Sequence, residues 1–82
     1  MEEIEKKVLE IVVEVSQEES VRENKNIDLL EEDVLDSLAF IMLIERLNEE
    51  FNIDIQPTQV SSNSWRNIYN IAKMVEKYIE GK

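Results

Sequence analysis

The chain reads as an all-α domain, and three observations carry that reading. One glycine and one proline in 82 residues leave few breaks in helical pattern. The apolar residues recur three and four apart over three long segments, the spacing of one face of a helix. Hydrophobic residues make up 43% of the chain, enough for a packed interior and too many for a disordered acidic tail. The length suits one small domain over residues 1–82, with no room for a second core.

With no cysteine there is no disulfide and no thiolate metal site, so stability must come from helix packing. The longest apolar run, Leu38 to Ile44, is seven residues and ends in charge, far short of a membrane span. No signal peptide is recognisable. A cytoplasmic monomer that does not insert into membranes is therefore expected. The net charge is −10, and its placement matters more than its size. Residues 28–54 hold nine acids and one base, whereas residues 57–82 carry a net +2. Nucleic acid and anionic membranes are disfavoured as partners, and a basic protein facing the middle segment is favoured. Acidity of this kind also serves solubility alone.

Residues 2–18 are predicted to form the first helix. Ile4, Val8, Ile11 and Val15 make one stripe with Val12 at its edge. Glu2, Glu3 and Glu5 suit the positive end of the helix dipole. Its β-branched valines weaken helix propensity, so tertiary packing must hold it. Residues 19–36 read as a long connection, with a turn at Asn24-Lys25-Asn26. Val21, Ile27, Leu29, Leu30, Val34 and Leu35 are too apolar for a free linker and predict a loop pinned across the core. Asn24, Asn26 and Asp28 imitate the opening of a calcium loop. Leu29 stands where such a loop needs glycine, however, and Leu35 where it needs a bidentate glutamate, so that site is rejected.

The second long helix, 37–51, separates into two faces. Phe40, Leu43, Ile44, Leu47 and Phe51 share an arc of roughly 100°, the width of a core-facing stripe. Leu38, Met42, Glu45 and Glu49 lie opposite, half apolar and half acidic, and with Ile41 they form the candidate partner-binding set. Pro57 suits the first turn of a short helix over about 57–62. Ser61-Ser62-Asn63-Ser64 is turn-like, and Trp65 reads as a core plug. The last helix covers 67–80, with Ile68, Ile71, Ala72, Val75 and Ile79 on one face, Asn67 or Ser64 as cap and Gly81 as terminator.

Catalysis is poorly supported. There is no histidine or cysteine, no glycine-rich phosphate loop, and no grouping of carboxylates that reads as a metal site. Ser37 has Asp36 beside it but no general base. A hydroxyl at the start of a helix suits a different use. The first N–H groups lack internal partners and the dipole end is positive, so a phosphodiester on such a serine is well placed. Asp36 can take the N-cap and leave the Ser37 hydroxyl free. Ala39 and Phe40 stand where a capping box would need Glu or Gln, so capping does not require the serine. By itself, Asp-Ser is also an ordinary helix start.

The ordering of these features resembles the acyl, peptidyl and D-alanyl carrier protein family. The shared pattern is a first helix, a long loop, Asp36-Ser37-Leu38 opening an acidic helix, Glu49-Glu50-Phe51 closing it, a short helix and a final one. The resemblance implies an acyl-carrier-protein-like four-helix bundle of three long helices and one short. It implies a 4′-phosphopantetheine arm, derived from coenzyme A, on Ser37, with Asp36 as motif residue and cap and a thioester-held cargo. The implied partners are a phosphopantetheinyl transferase, an AMP-forming acyl or aminoacyl ligase, and a downstream acyltransferase or synthase. Val34-Leu35-Asp36-Ser37 and the segment Ile55-Gln56-Pro57-Thr58 through Trp65 look like D-alanyl carriers, which makes D-alanine for cell-wall teichoic acids the first expectation for cargo. A fatty or polyketide-type acyl group is the second. The chain departs from the family where Met42 replaces a frequent acid and Ala39 is neutral, both on the helix that partners would read. The competing class is an unmodified acidic adaptor that binds a basic partner through the same face.

Overall fold

The computed structural model describes residues 2–81. Among them are four α-helices and no strand: α1 (Glu2–Ser16), α2 (Ser20–Glu23), α3 (Ser37–Phe51) and α4 (Ile68–Glu80). The all-helical bundle of three long helices and one short one agrees with the expected class, although the short α-helix is α2, inside the expected loop, and not at 57–62; α1 packs against each of the other three. That central position widens the buried face of α1. Val8 and Val12 are fully buried, and Leu9, Ile11 and Val13 nearly so, while Ile4 and Val15 are only partly covered. Val12 therefore lies at the middle of the buried arc and not at its edge. The helix also stops at Ser16, two residues before the expected end. The Ser16 hydroxyl donates back to the Val12 carbonyl at 2.6 Å, and Gln17 turns left-handed at φ 60°.

The expected loop holds more structure than its sequence suggests. α2 is one helical turn, anchored by the fully buried Val21 and by Arg22, which reaches both Glu19 and Glu10. The turn at Asn24-Lys25-Asn26 forms, with the Asn24 side chain accepting from the Asn26 N–H at 3.2 Å. Asp28 opens a further turn, its Oδ1 accepting from the N–H groups of Leu30 at 3.1 Å and Glu31 at 2.9 Å. Asp33, at φ 57°, ends that turn, and the Val34 N–H returns to the Leu29 carbonyl at 3.1 Å. Leu29, Val34 and Leu35 are buried, so the segment leading to α3 is pinned across the core as predicted.

α3 buries Ala39, Leu43 and Leu47, with Phe40, Ile44 and Phe51 partly covered. Its end is a left-handed Asn52 at φ 54°, and Asn48 ties down the next residues by accepting from the Ile55 N–H at 2.9 Å. The short helix predicted over 57–62 is instead two 3₁₀ turns, Pro57–Gln59 and Ser62–Trp65, with Val60 and Ser61 extended between them. Val60 is β-branched and packs against the core from an extended backbone, and that tertiary contact overrides continuation from Pro57. α4 begins at the Asn67 cap, whose side chain accepts from the Asn70 N–H at 2.8 Å. It buries Ile68, Ile71, Ala72 and Val75 completely. On the surface, Lys7–Glu50 at 3.1 Å and Arg46–Glu14 join α1 to α3; such exposed pairs set register more than stability.

Candidate functional site

Asp36 is the reason α3 begins where it does. Its backbone is extended, and its Oδ1 accepts from the Ala39 N–H at 2.8 Å, as an N-cap should. The Phe40 N–H bonds to the Asp36 carbonyl at 2.9 Å and closes the first turn. Ser37 is then the first helical residue, and it is exposed. Among the described residues its hydroxyl has no hydrogen-bond partner, and helix geometry gives the N–H groups of Ser37 and Leu38 no internal acceptor. A phosphodiester on this hydroxyl fits the site: it would meet solvent, unclaimed N–H groups and the positive end of a 15-residue helix.

The remaining candidate residues share the outer face of α3. Leu38 is 67% exposed, Ile41 57% and Met42 40%, an apolar patch immediately beside the hydroxyl. Glu45 and Glu49 continue that face in solvent. Neither has an ion-pair partner among the described residues, nor do Glu31, Glu32, Asp33 and Asp36 on the approach to the helix. Arg46, the base on α3, is turned to Glu14, whose carboxylate raises the guanidinium's pKa above its ordinary value. The carboxylates around Ser37 thus make no ion pair among the described residues, and Arg46 offsets their field only at a distance, through Glu49.

Beneath the site runs a seam that sequence reasoning missed. Phe40, one turn in from Ser37, meets Trp65 edge-on with ring centroids 4.9 Å apart and planes at 76°. Trp65 is only 3% exposed, a core plug as predicted. Its neighbour Arg66 donates to Asp28 Oδ2 at 2.6 Å and accepts the Leu29 N–H on its carbonyl at 2.7 Å. The Asp28 carboxyl is held below its usual range, chiefly by the Glu31 N–H and then by Arg66 against partial desolvation. One half of this arrangement had a readable signal: Asp28 with Glu31 three residues on is a capping-box spacing. The Arg66 half spans 38 residues and leaves no local trace.

Among the described residues, no group of three or more acids could hold a metal, and no helix is long and apolar enough to cross a membrane. The family model described as "Phosphopantetheine attachment site" matches residues 6–75. A D-alanyl carrier protein of Lactococcus lactis subsp. lactis is 34% identical over 70 residues, covering 85% of this chain and 89% of that protein. Its counterpart from Bacillus velezensis is 33% identical over 69 residues, 84% and 88% of the two chains. One from Bacillus cereus is 30% identical over 77 residues, 94% and 98%. Members of this family bear 4′-phosphopantetheine covalently and are in general carriers and not catalysts. With its matched span running through the capped start of α3, the chain belongs to the phosphopantetheine-attachment family of carrier proteins, and D-alanyl carriers are among its relatives.

Proposed function

We infer that Ser37 is the attachment residue and that residues 1–82 act as one cytoplasmic carrier domain whose cargo is D-alanine. The observation that carries the attachment is the exposed, unbonded Ser37 hydroxyl on a helix start already capped by Asp36. In the attachment step, Ser37 Oγ bonds to the pantetheine-bearing phosphorus of coenzyme A as the pyrophosphate link breaks. Adenosine 3′,5′-bisphosphate leaves, and the hydroxyl proton goes to a base of the transferase, since this chain holds no histidine to take it. When attached, the group supplies a flexible tether ending in a thiol that holds the cargo as a thioester. Asp36 keeps α3 wound up to its first residue, and the acidic surroundings draw in basic enzymes.

Leu38, Ile41 and Met42, flanked by Glu45 and Glu49, are the surface on which the transferase, an AMP-forming ligase and a downstream acyltransferase dock. The choice of D-alanine is supported by the names of the relatives and by their cover of most of this chain. Incubation with coenzyme A and a promiscuous phosphopantetheinyl transferase should add the mass of one arm, and Ser37→Ala should abolish it. The holo protein with ATP and a D-alanine ligase should then gain one alanyl group, released by hydroxylamine. Loading by a fatty-acid ligase in its place would redirect the cargo, and native protein at the bare sequence mass would favour the unmodified adaptor.

A further inference from the structure

The exposed patch of α3 and the capped Ser37 are absorbed by the carrier reading, but the aromatic seam beneath them is not. We propose that the Phe40–Trp65 pair is a plug that shuts the bundle interior to the cargo, making Phe40 a size-selecting residue for what Ser37 can usefully carry. This rests on Ser37 bearing the arm. A long apolar acyl group on a flexible tether gains by leaving water, and each methylene it buries adds to that gain. One helical turn along α3 from Ser37, Phe40 meets Trp65 at the edge of the apolar interior with ring centroids 4.9 Å apart. Trp65 belongs to the same core cluster as Leu43, Ile68 and Ile71, all fully buried, and Phe40 packs against that cluster. Interiors of this kind are close-packed, so a chain could enter only by displacing a ring.

The seam is also held shut from behind. Arg66 follows Trp65 directly and is fastened to Asp28 through its side chain and to Leu29 through its backbone, at 2.6 and 2.7 Å. The turn carrying Trp65 therefore cannot swing aside without breaking both bonds. Four surface clefts lie elsewhere among the described residues, against α1, α4, Arg46, Glu50 and the Asn63-Ser64 turn among others, and none of these four is lined by Ser37, Phe40 or Trp65. Cargo on Ser37 stays in solvent, a state that suits a short polar group and leaves a fatty chain unprotected.

The test loads wild type, Phe40→Leu and Phe40→Ala with acetyl or octanoyl arms, using the corresponding acyl-coenzyme A and a promiscuous phosphopantetheinyl transferase. Intact mass first verifies loading, and failure of wild type to gain an arm overturns the attachment reading and this proposal together. On loaded protein, the rate of thioester cleavage by hydroxylamine is compared with that of the free acyl-coenzyme A. In wild type, acetyl and octanoyl forms should be cleaved as their free thioesters are and should melt at the same temperature. In Phe40→Ala, the octanoyl thioester should be protected several-fold and its carrier should melt higher, because cargo bound in the opened cavity stabilises the folded state. Phe40→Leu should fall between them, and it carries the comparison should the alanine variant lose its helical spectrum. Protection of the octanoyl group in wild type would overturn the proposal, as would its absence in a folded Phe40 variant.

Discussion

The two faces of α3 are built from the same fifteen residues and do opposite work. Inward, Ala39, Leu43 and Leu47 disappear into the core beside Phe40 and Ile44. Outward, Leu38, Ile41 and Met42 are just as apolar and stand in water between unpaired carboxylates. Hydropathy alone does not separate these sets; their angular position on the helix does. The difference shows where the bundle keeps its stability and where it keeps a surface for others, and it separates the consequences of substitution along one short helix.

The largest expected effect follows from that division. Leu47→Ala removes a fully buried side chain and should cost roughly 2–5 kcal/mol of folding free energy, a large fraction of what a domain this small possesses. Leu38→Ala and Met42→Ala should each cost about 1 kcal/mol or less, well below Leu47→Ala, since Leu38 is mostly and Met42 partly in solvent. Ile41→Glu should leave the melting temperature alone yet lower kcat/KM of the transferase several-fold with this carrier as substrate. Urea melts and arm-transfer kinetics on the same four variants would collapse the comparison if the outer substitutions destabilised as much as Leu47→Ala, or if Ile41→Glu were modified at the wild-type rate.

A smaller effect belongs to the residue where the faces meet. Asp36 caps the helix through the Ala39 N–H, and Asp36→Ala should cost about 1 kcal/mol. Asp36→Ser, which can still cap, should restore most of it. Because fraying begins at Ser37, the alanine variant should also show faster hydrogen exchange at Ala39 and Phe40 than along the rest of α3. Uniform exchange along the helix would mean that Asp36 does not hold the start.

How much of this was legible in the sequence depends on the reach of each interaction. The Asp36 cap, the two faces of α3 and the Asn67 cap all involve residues within one or two turns, so spacing reveals them. The stripe of α1 considered alone puts Val12 at an edge, because it does not show that three neighbours cover this helix. Pro57 predicts a short helix over 57–62, but the partial cover of Val60 comes from distant side chains that the local sequence does not show. The Phe40–Trp65 contact and the Asp28–Arg66 bond lie at still greater separation. No local pattern announces which residues meet across a core, so the motif at Ser37 was readable and the floor beneath it was not.

The smallest expected effect concerns that floor and pH. Asp28 carries a depressed pKa, held down by the Glu31 N–H and by Arg66, so the folded state binds its proton less tightly than the unfolded chain does. Its contribution is present in full above the unfolded value of about 3.9 and is lost as pH falls through the folded one. Glu10 and Glu14, depressed by Arg22 and Arg46, lose their contributions in the same acid window, but both pairs lie on the surface and weaken with salt. Asp28 differs in also fastening the Trp65 turn to the segment before α3. Asp28→Asn should therefore lower the melting temperature at pH 7 and flatten its decline between pH 5 and pH 3, because one proton-linked contribution has gone. Added salt should narrow that difference between wild type and variant, since asparagine can still accept the Leu30 and Glu31 N–H groups and the variant chiefly loses the partly exposed charge pair with Arg66. A parallel decline in the two proteins would show that the tie between Asp28 and Arg66 does not hold the seam closed.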